Sequence, residues 1–590
     1  MPSRLPSLVR LARLARLRRL PRLALALLAA ATPLFPRLAT APAAPQPADV
    51  IIYGATPSGI AAAVEASRMG CSVIILEPGR FIGGMMTGGL GATDKGVVWT
   101  VGGLAREFFE EIWRYYLDPS VWKYEDRAAY LPRHGQTHTK DMQCQWYFEP
   151  HVAKLVFDRW LEKARPAVTL LRGERLDRAA GVEKQDAAIT RITMESGRTF
   201  SGACFIDASY EGDLMAAAGV DFVIGREPNS RYGETLNGIR LDDADELETI
   251  DPFIEPGNPA SGLLPRIEPR APGRHGEGDH RVQAYNYRLC LTALEENRVP
   301  ITRPPDYNPL NYELLLRALA QKKNLNPEKG FFTRVPMPNL KTDSNNTAGF
   351  STDYIGGSHD WAGASYAERE KIEAAHRSYV QGFFWFLGHD PRVPAALRRE
   401  VARWGLASDE FADNGHWPAQ LYIREARRMV GQHVMQEDNF PHKRKNEAGR
   451  LLVAPARAPV PDPVAVGSYA LDSHKVSLFL TENNTAAIEG HIYKGVAPYG
   501  ISYRSLLPRP EQCRNLLVSV CVSASHVAYG SIRMEPVYME LGQAAAAAAC
   551  LALRQGVPPH ALPYPALRAH LQRAGAVLSP QKPKLPKNPR

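Results

Sequence analysis

The sequence predicts an α/β fold: a Rossmann-like nucleotide-binding domain with a β-meander, built from both ends of the chain around an inserted α+β substrate or cap domain. Three observations predict it. A strand, glycine turn, helix and second strand occupy Ala48–Glu77. The strand-like runs "VTLLRGERL", "AAITRITMES" and "RTFSGACFIDA" follow a helix opened by Pro150, and the "ESGR" turn joins the last two as a hairpin. Nucleotide-domain character then returns in "NLLVSVCV" and in the alanine-rich helix after Pro536.

The first unit reads "ADVIIYGATPSGIAAAVEASRMGCSVIILE". Val50–Tyr53 is β-branched and aromatic, as a buried parallel strand should be. Gly54 follows at once and Gly59 opens a helix, with Ile60, Ala63, Val64 and Ser67 at helical spacing. Ser72–Leu76 is the second strand, ended by Glu77, 23 residues after Gly54. This is the dinucleotide fingerprint. Gly54 makes the tight turn, Gly59 allows close helix–strand packing, and the helix start at Ser58 faces a pyrophosphate. Glu77 accepts hydrogen bonds from a ribose. Thr56 replaces the middle glycine, and its hydroxyl is a candidate phosphate donor.

The next stretch separates FAD from NAD. "RFIGGMMTGGLG" carries Arg80, Gly83, Gly84, Gly88, Gly89 and Gly91. An NAD domain would run on into another crossover helix. A glycine-rich loop instead passes close to a ligand, having few side chains to clash. It resembles the second glycine motif of FAD domains of the glutathione-reductase type.

The chain then divides as residues 48–225 (first FAD part), 226–464 (inserted substrate or cap domain) and 465–555 (second FAD part), with a proline-rich basic tail at 556–590. The insertion is rich in Pro, Asn, Asp and His. Helices are expected at Tyr312–Gln321, Tyr366–Leu387, Leu397–Trp404 and Leu421–Gln432. "EAGRLLVAPARAPVPDPVAVG" reads as its exit linker.

The formal net charge of +9 is terminal: seven arginines precede residue 23 and four basic residues follow residue 581. A basic patch on the fold is therefore not indicated, which argues against a nucleic-acid partner. The arginines and the run Leu23–Phe35 read as an export signal within residues 1–44, giving a periplasmic or extracellular protein with no stable membrane span after its removal. The seven cysteines are scattered with no C-x-x-C, against a disulfide framework, a metal centre or an iron–sulfur cluster.

Four stretches, "YGATPSGIAAA", "FIDASYEGDLMAAAGV", "LYIREARRMVG" and "SASHVAYGSIRMEPVYMELGQAA", resemble the bacterial FAD-dependent oxidoreductase family of the glutathione-reductase superfamily. Some of its exported members are labelled xanthan-lyase-like, and it is distantly similar to the flavin subunit of heterodisulfide reductases. The resemblance spans roughly residues 48–555 and implies FAD. It implies no substrate.

Candidate site residues follow from position. Asp207, Glu211 and Asp213 lie where a strand runs into a helix and resemble the segment that closes over FAD; Glu211 and Asp213 are candidates for ribityl hydroxyls. Met534 and Glu535 begin the last helix, whose free N–H groups would stabilise reduced flavin. Arg424, Arg427 and Arg428 share a neighbourhood on the expected helix and would clamp an anionic substrate. His526, in what reads as a loop before that last helix, is the first candidate base; His474 is the second, and Tyr503 flanks the site. The expected reaction is oxidation or reduction of a small polar molecule such as a sugar or hydroxy acid, with hydride transfer to flavin N5 and oxygen, a quinone or a carrier protein as acceptor. Two alternatives stand beside it: a redox-neutral lyase or isomerase, and a non-catalytic carbohydrate-binding protein with a vestigial FAD fold.

Overall fold

In a computed structural model of the chain, residues 45–133, 138–242, 245–247, 250–321, 332–346, 350–445 and 449–582 are described. The expected export segment lies outside them.

A seven-stranded sheet carries the nucleotide domain. Its strands are β1 (Gln46–Tyr53), β2 (Val73–Glu77), β3 (Val168–Arg172), β4 (Val182–Gln185), β5 (Ala188–Thr193), β6 (Thr199–Asp207) and β7 (Leu516–Val518). They run in the order β3-β2-β1-β6-β5-β4, with β7 also on β6. β1, β2, β3, β6 and β7 pair in parallel; β4, β5 and the start of β6 form the antiparallel meander. β6 is long enough to serve both: Thr199 and Phe200 pair with β5, and Phe205–Asp207 pair with β7. Tyr53 stands beside Leu76 on one side and Asp207 on the other, so the strand ends that bear the site are level.

α1 (Pro57–Arg68) follows β1 with Thr56 as its N-cap and a proline in its first turn. α2 (Pro150–Lys163) and α3 (Tyr366–His389) form where expected, the latter opened by a Ser365–Glu368 capping box. α4 (His526–Ile532) and α5 (Glu535–Gln555) follow β7, and α6 (Tyr564–Arg573) is the last helix among the described residues. α5 is long and apolar enough to cross a membrane, yet it is buried in the core against α1. A Cβ on Gly542 would stand 2.1 Å from the Ser58 carbonyl, so the two backbones touch there.

The insertion builds an antiparallel five-stranded sheet of Arg298–Val299, Gly405–Ala407, Leu289–Thr292, Lys341–Ser344 and Val335–Met337. It does not separate from the rest. From residue 44 the chain forms one unit, and a single core cluster runs from Val50 and Ile60 through Ala544 to Tyr285, Phe383 and Trp417.

Four expectations are corrected. Leu421–Gln432 is not a helix: Arg427–Met429 is a strand paired with Phe222–Ile224, because its arginines find carboxylates on both sides of an extended backbone. The boundary at 465 cuts a sheet, since Ala486–Glu489 pairs with Asp245–Leu247 of the insertion. The exit linker holds a hairpin, His442–Lys445 with Leu451–Ala454, and the strand Pro463–Gly467. The tail reading fails for its first part: α6 packs Leu567 and Leu571 into the core, and Tyr503 donates to the Pro559 carbonyl at 2.8 Å.

Candidate functional site

The glycine turn after β1 is dictated by contact. Gly54 has φ +99°, and a Cβ there would lie 2.9 Å from the Ser209 nitrogen; a Cβ on Gly59 would lie 2.0 Å from the Gly54 carbonyl oxygen. Thr56 is not a free phosphate donor. Its hydroxyl donates to the Ala208 carbonyl at 2.7 Å and accepts from the Gly59 N–H at 3.2 Å, so it ties the turn to the end of β6. Ser58 bonds Ser519 at 2.8 Å and is buried against α5.

Glu77 faces a cavity of about 200 Å³ lined also by Gly54, Thr56, Gly79, Gly84 and Ser209. Its oxygens accept from Ala55 N–H at 2.8 Å and Gly79 N–H at 2.7 Å, and loss of surrounding water pushes its pKa up to about 7. Each carboxylate oxygen keeps a lone pair for a further donor. Arg80 does not join this cavity: it bonds the Asp413 carbonyl at 2.8 Å and Asn414 at 3.1 Å.

Gly83 packs against Phe157 of α2, and Gly84 against Tyr210 and Pro57. Cβ atoms there would come within 2.3 Å of Thr87 and of the Tyr210 hydroxyl respectively. Tyr210 accepts from Met85 N–H at 3.0 Å and donates to Glu535 at 2.7 Å. The second Glu535 oxygen is buried with no partner among the described residues, and burial pushes this carboxyl up to about 8. Met534 is the N-cap of α5, without a side-chain capping bond.

The acidic run divides by environment. Asp207 is structural, accepting from Ser209 and from Met215 N–H at 2.8 Å; burial lifts it to about 6. Glu211 lines the cavity, and burial raises it to about 7 against the pull of Arg369. Burial would raise Asp213 too, but Arg369, at 2.6 Å, with Arg427 and Arg178, holds it below the ordinary range.

A second polar cluster surrounds Tyr422. Arg533 donates to its hydroxyl at 3.1 Å and pairs with Asp472 at 2.9 Å. Arg424 lies 4.7 Å from the Tyr422 ring centroid and pairs with Asp353 at 2.9 Å. Arg288 makes a two-point contact with Asp343 at 2.6 and 2.8 Å, and its other amino group is 3.8 Å from Asp94. His474 Nδ1 is 2.8 Å from Asp353, and its Nε2 is 3.7 Å from Asp472. Each of the three buried guanidiniums keeps one nitrogen without a hydrogen-bond partner among the described residues: Arg288 Nη1, Arg424 Nε and Arg533 Nε.

Arg288, Asp94, Asp353 and Tyr422 were not singled out from sequence. One signal was present: Arg288 is a lone charge in the apolar strand "YRLCLT". Asp353 carries no local signal, since its partners are distant in the chain.

The two remaining candidates sit elsewhere. The segment taken as a loop is helix α4. His526 in its first turn is fully buried, with Nδ1 2.8 Å from Glu425 and its N–H on Glu227 at 3.0 Å. Burial, reinforced by Arg428 and Arg226, drives it down to about 3, so it is a weak base at neutral pH. Tyr503 is buried on its bond to Pro559, in neither cluster. Among the described residues, Glu149, His151 and Glu410 have metal-ligand spacing, but the Lys341 ammonium already binds Glu149 at 2.7 Å and Glu410 at 2.8 Å.

A profile of the FAD dependent oxidoreductase family matches residues 49–571. The chain belongs to this family. FAD is the cofactor of such a protein, and this chain fits it: the glycine cradle excludes side chains along the turn, Glu77 has acceptor capacity to spare, and the open Glu535 oxygen lies at the start of α5. No curated protein matches the chain. Among solved structures it is similar to L-proline dehydrogenase from P. horikoshii (15% identity, 31% of this chain, 59% of that one, TM-score 0.21). It is also similar to L-amino acid deaminase from Proteus vulgaris with a specific insertion deleted (18%, 32%, 59%, 0.22) and to T. acidophilum thioredoxin reductase (15%, 28%, 35%, 0.15). The matches span less than two thirds of each of those chains, and nothing about substrate follows from them.

Proposed function

We propose that this FAD-dependent oxidoreductase oxidises a small, oxygen-rich organic substrate, a hydroxy acid or sugar acid, at the Tyr422 cluster. The observation that carries this reading is the set of three buried guanidiniums there, each neutralised by an aspartate yet each holding an unspent N–H. A buried donor left unpaired is costly, and carboxylate or hydroxyl oxygens of a substrate would satisfy it. Arg424 stays in the site beside Arg288 and Arg533, three residues before the strand Arg427–Met429 and not on a helix.

His474 replaces His526 as the base. Asp353 fixes its Nδ1 and so its orientation, leaving Nε2 to take a proton from a substrate hydroxyl, as an aspartate orients an imidazole in hydrolase triads. Burial and Arg424 lower its pKa, so it is neutral and able to accept a proton at pH 7. FAD, when bound, supplies the two-electron acceptor for the hydride.

The test is spectroscopic. Purified protein should carry flavin absorbance, and hydroxy acids or sugar acids should bleach it without oxygen. Conversion of a sugar with no bleaching would move the reading to a lyase or isomerase, and absence of flavin to a binding protein. We also assign the protein to an extracytoplasmic compartment on its arginine-rich, apolar N-terminus; N-terminal sequencing should find a start between about residues 32 and 45.

A further inference from the structure

The segment between residues 442 and 454 carries a feature that the flavin site does not use. It is a two-stranded antiparallel ribbon with His442 opposite Ala454, Lys443 opposite Val453 and Arg444 opposite Leu452. Apart from a single bridge of His442 to Val496, no third strand joins it among the described residues. Leu451 is 57% exposed, Leu452 36% and Val453 52%. Consecutive residues of a strand point to opposite faces, so both faces of the ribbon present apolar side chains to water.

Tyr493, 68% exposed, lies two residues before Gly495, whose carbonyl accepts the Lys443 N–H at 2.9 Å. It therefore sits at the base of the ribbon. These four residues are half of the large exposed apolar side chains among the described residues, so the exposure is clustered and not the usual scatter.

Charge selects the occupant. Lys443 and Arg444 lie on the ribbon, and Lys494 follows Tyr493. Apolar tips between basic residues, with a tyrosine at the rim, match an anionic bilayer surface: the leucines and valine enter the acyl boundary and the cations stay with the lipid phosphates. We propose that this ribbon docks the protein peripherally on an anionic phospholipid membrane. The proposal is independent of the substrate reading.

Vesicle co-sedimentation of the full chain tests it. Phosphatidylglycerol-containing vesicles should carry the protein down, phosphatidylcholine vesicles at least tenfold less well, and 0.5 M salt should weaken binding, all on the order expected for a mixed apolar and electrostatic contact. Leu451→Ser with Val453→Ser, and separately Lys443→Glu with Arg444→Glu, should each reduce binding about tenfold or more, with melting temperature and circular dichroism unchanged. Tyr493→Ser supplies a third variant outside the ribbon. The proposal is overturned if phosphatidylglycerol vesicles do not bind, if the variants bind like the parent, or if the same substitutions instead dissolve a dimer in a protein that ignores vesicles.

Discussion

At the scale of single residues, three carboxyl groups beside the glycine turn and the start of α5 are held in unusual states. Glu77 and Glu211 have pKa values near 7 and Glu535 near 8, against an ordinary value of 4.5. A folded-state pKa raised above the unfolded one stabilises below the unfolded value, and that contribution is lost as pH rises through the folded value. His526, depressed to about 3, acts in the opposite sense, but only between pH 3 and its ordinary 6.5. Between pH 6.5 and 8.5 His526 no longer opposes these acids. The apoprotein's melting temperature should therefore fall across that window, measured by calorimetry at constant ionic strength. FAD binding should show the reverse dependence for Glu77. Ribose hydroxyls donate to the ionised carboxylate, so affinity should drop as pH falls below 7, and Glu77→Gln should flatten the profile. Glu77→Ala should weaken FAD binding by about 1.5–3 kcal/mol, the usual worth of hydrogen bonds to a charged group, read by flavin fluorescence titration.

Among elements, the most legible were those whose reason is local. β1, α1 and β2 follow from a β-branched run, a glycine turn and helical spacing, and α3 from its capping box. The Leu421–Gln432 segment was not legible for a physical reason. Its residues have good helix propensity, but Arg424, Arg427 and Arg428 are fixed by Asp353, Asp213 and Glu227, each far away in the chain. Propensity is a weak prior against several buried ion pairs. The same holds for His526, whose pKa is depressed first by burial and then by arginines outside its own helix. The α1–α5 contact offers an element-level prediction. Gly542→Val would force side-chain atoms against the Ser58 carbonyl, and overpacking of this kind costs about 1–3 kcal/mol. Thermal melts should show that loss, while Gly556→Ala, at a position with nothing within 4 Å but φ +64°, should cost less.

For the molecule as a whole, the insertion and the C-terminal segment complete the nucleotide domain instead of hanging from it. Removing residues 556–590 would uncover the surface under Leu562, Leu567, Leu571 and Leu578, all buried. At about 1.5–3 kcal/mol for each such side chain, the loss approaches the whole stability of a typical domain. The truncated chain should be insoluble or fail to retain flavin, scored by soluble yield and absorbance. The insertion in turn supplies Arg288, Asp353 and Tyr422 to the proposed site, while the segment after it supplies Asp472, His474 and Arg533, so the proposed chemistry draws on both. The most direct measurement of this arrangement is rapid-mixing flavin reduction in two variants, with the first substrate that bleaches the parent. His474→Gln should retain FAD and slow reduction by about 10²–10⁴-fold, the range for loss of a general base, whereas His526→Gln should lower stability and leave the reduction rate of the surviving holoenzyme near that of the parent. The opposite pattern, fast reduction in His474→Gln and slow reduction in His526→Gln, would contradict the placement of the reaction at the Tyr422 cluster.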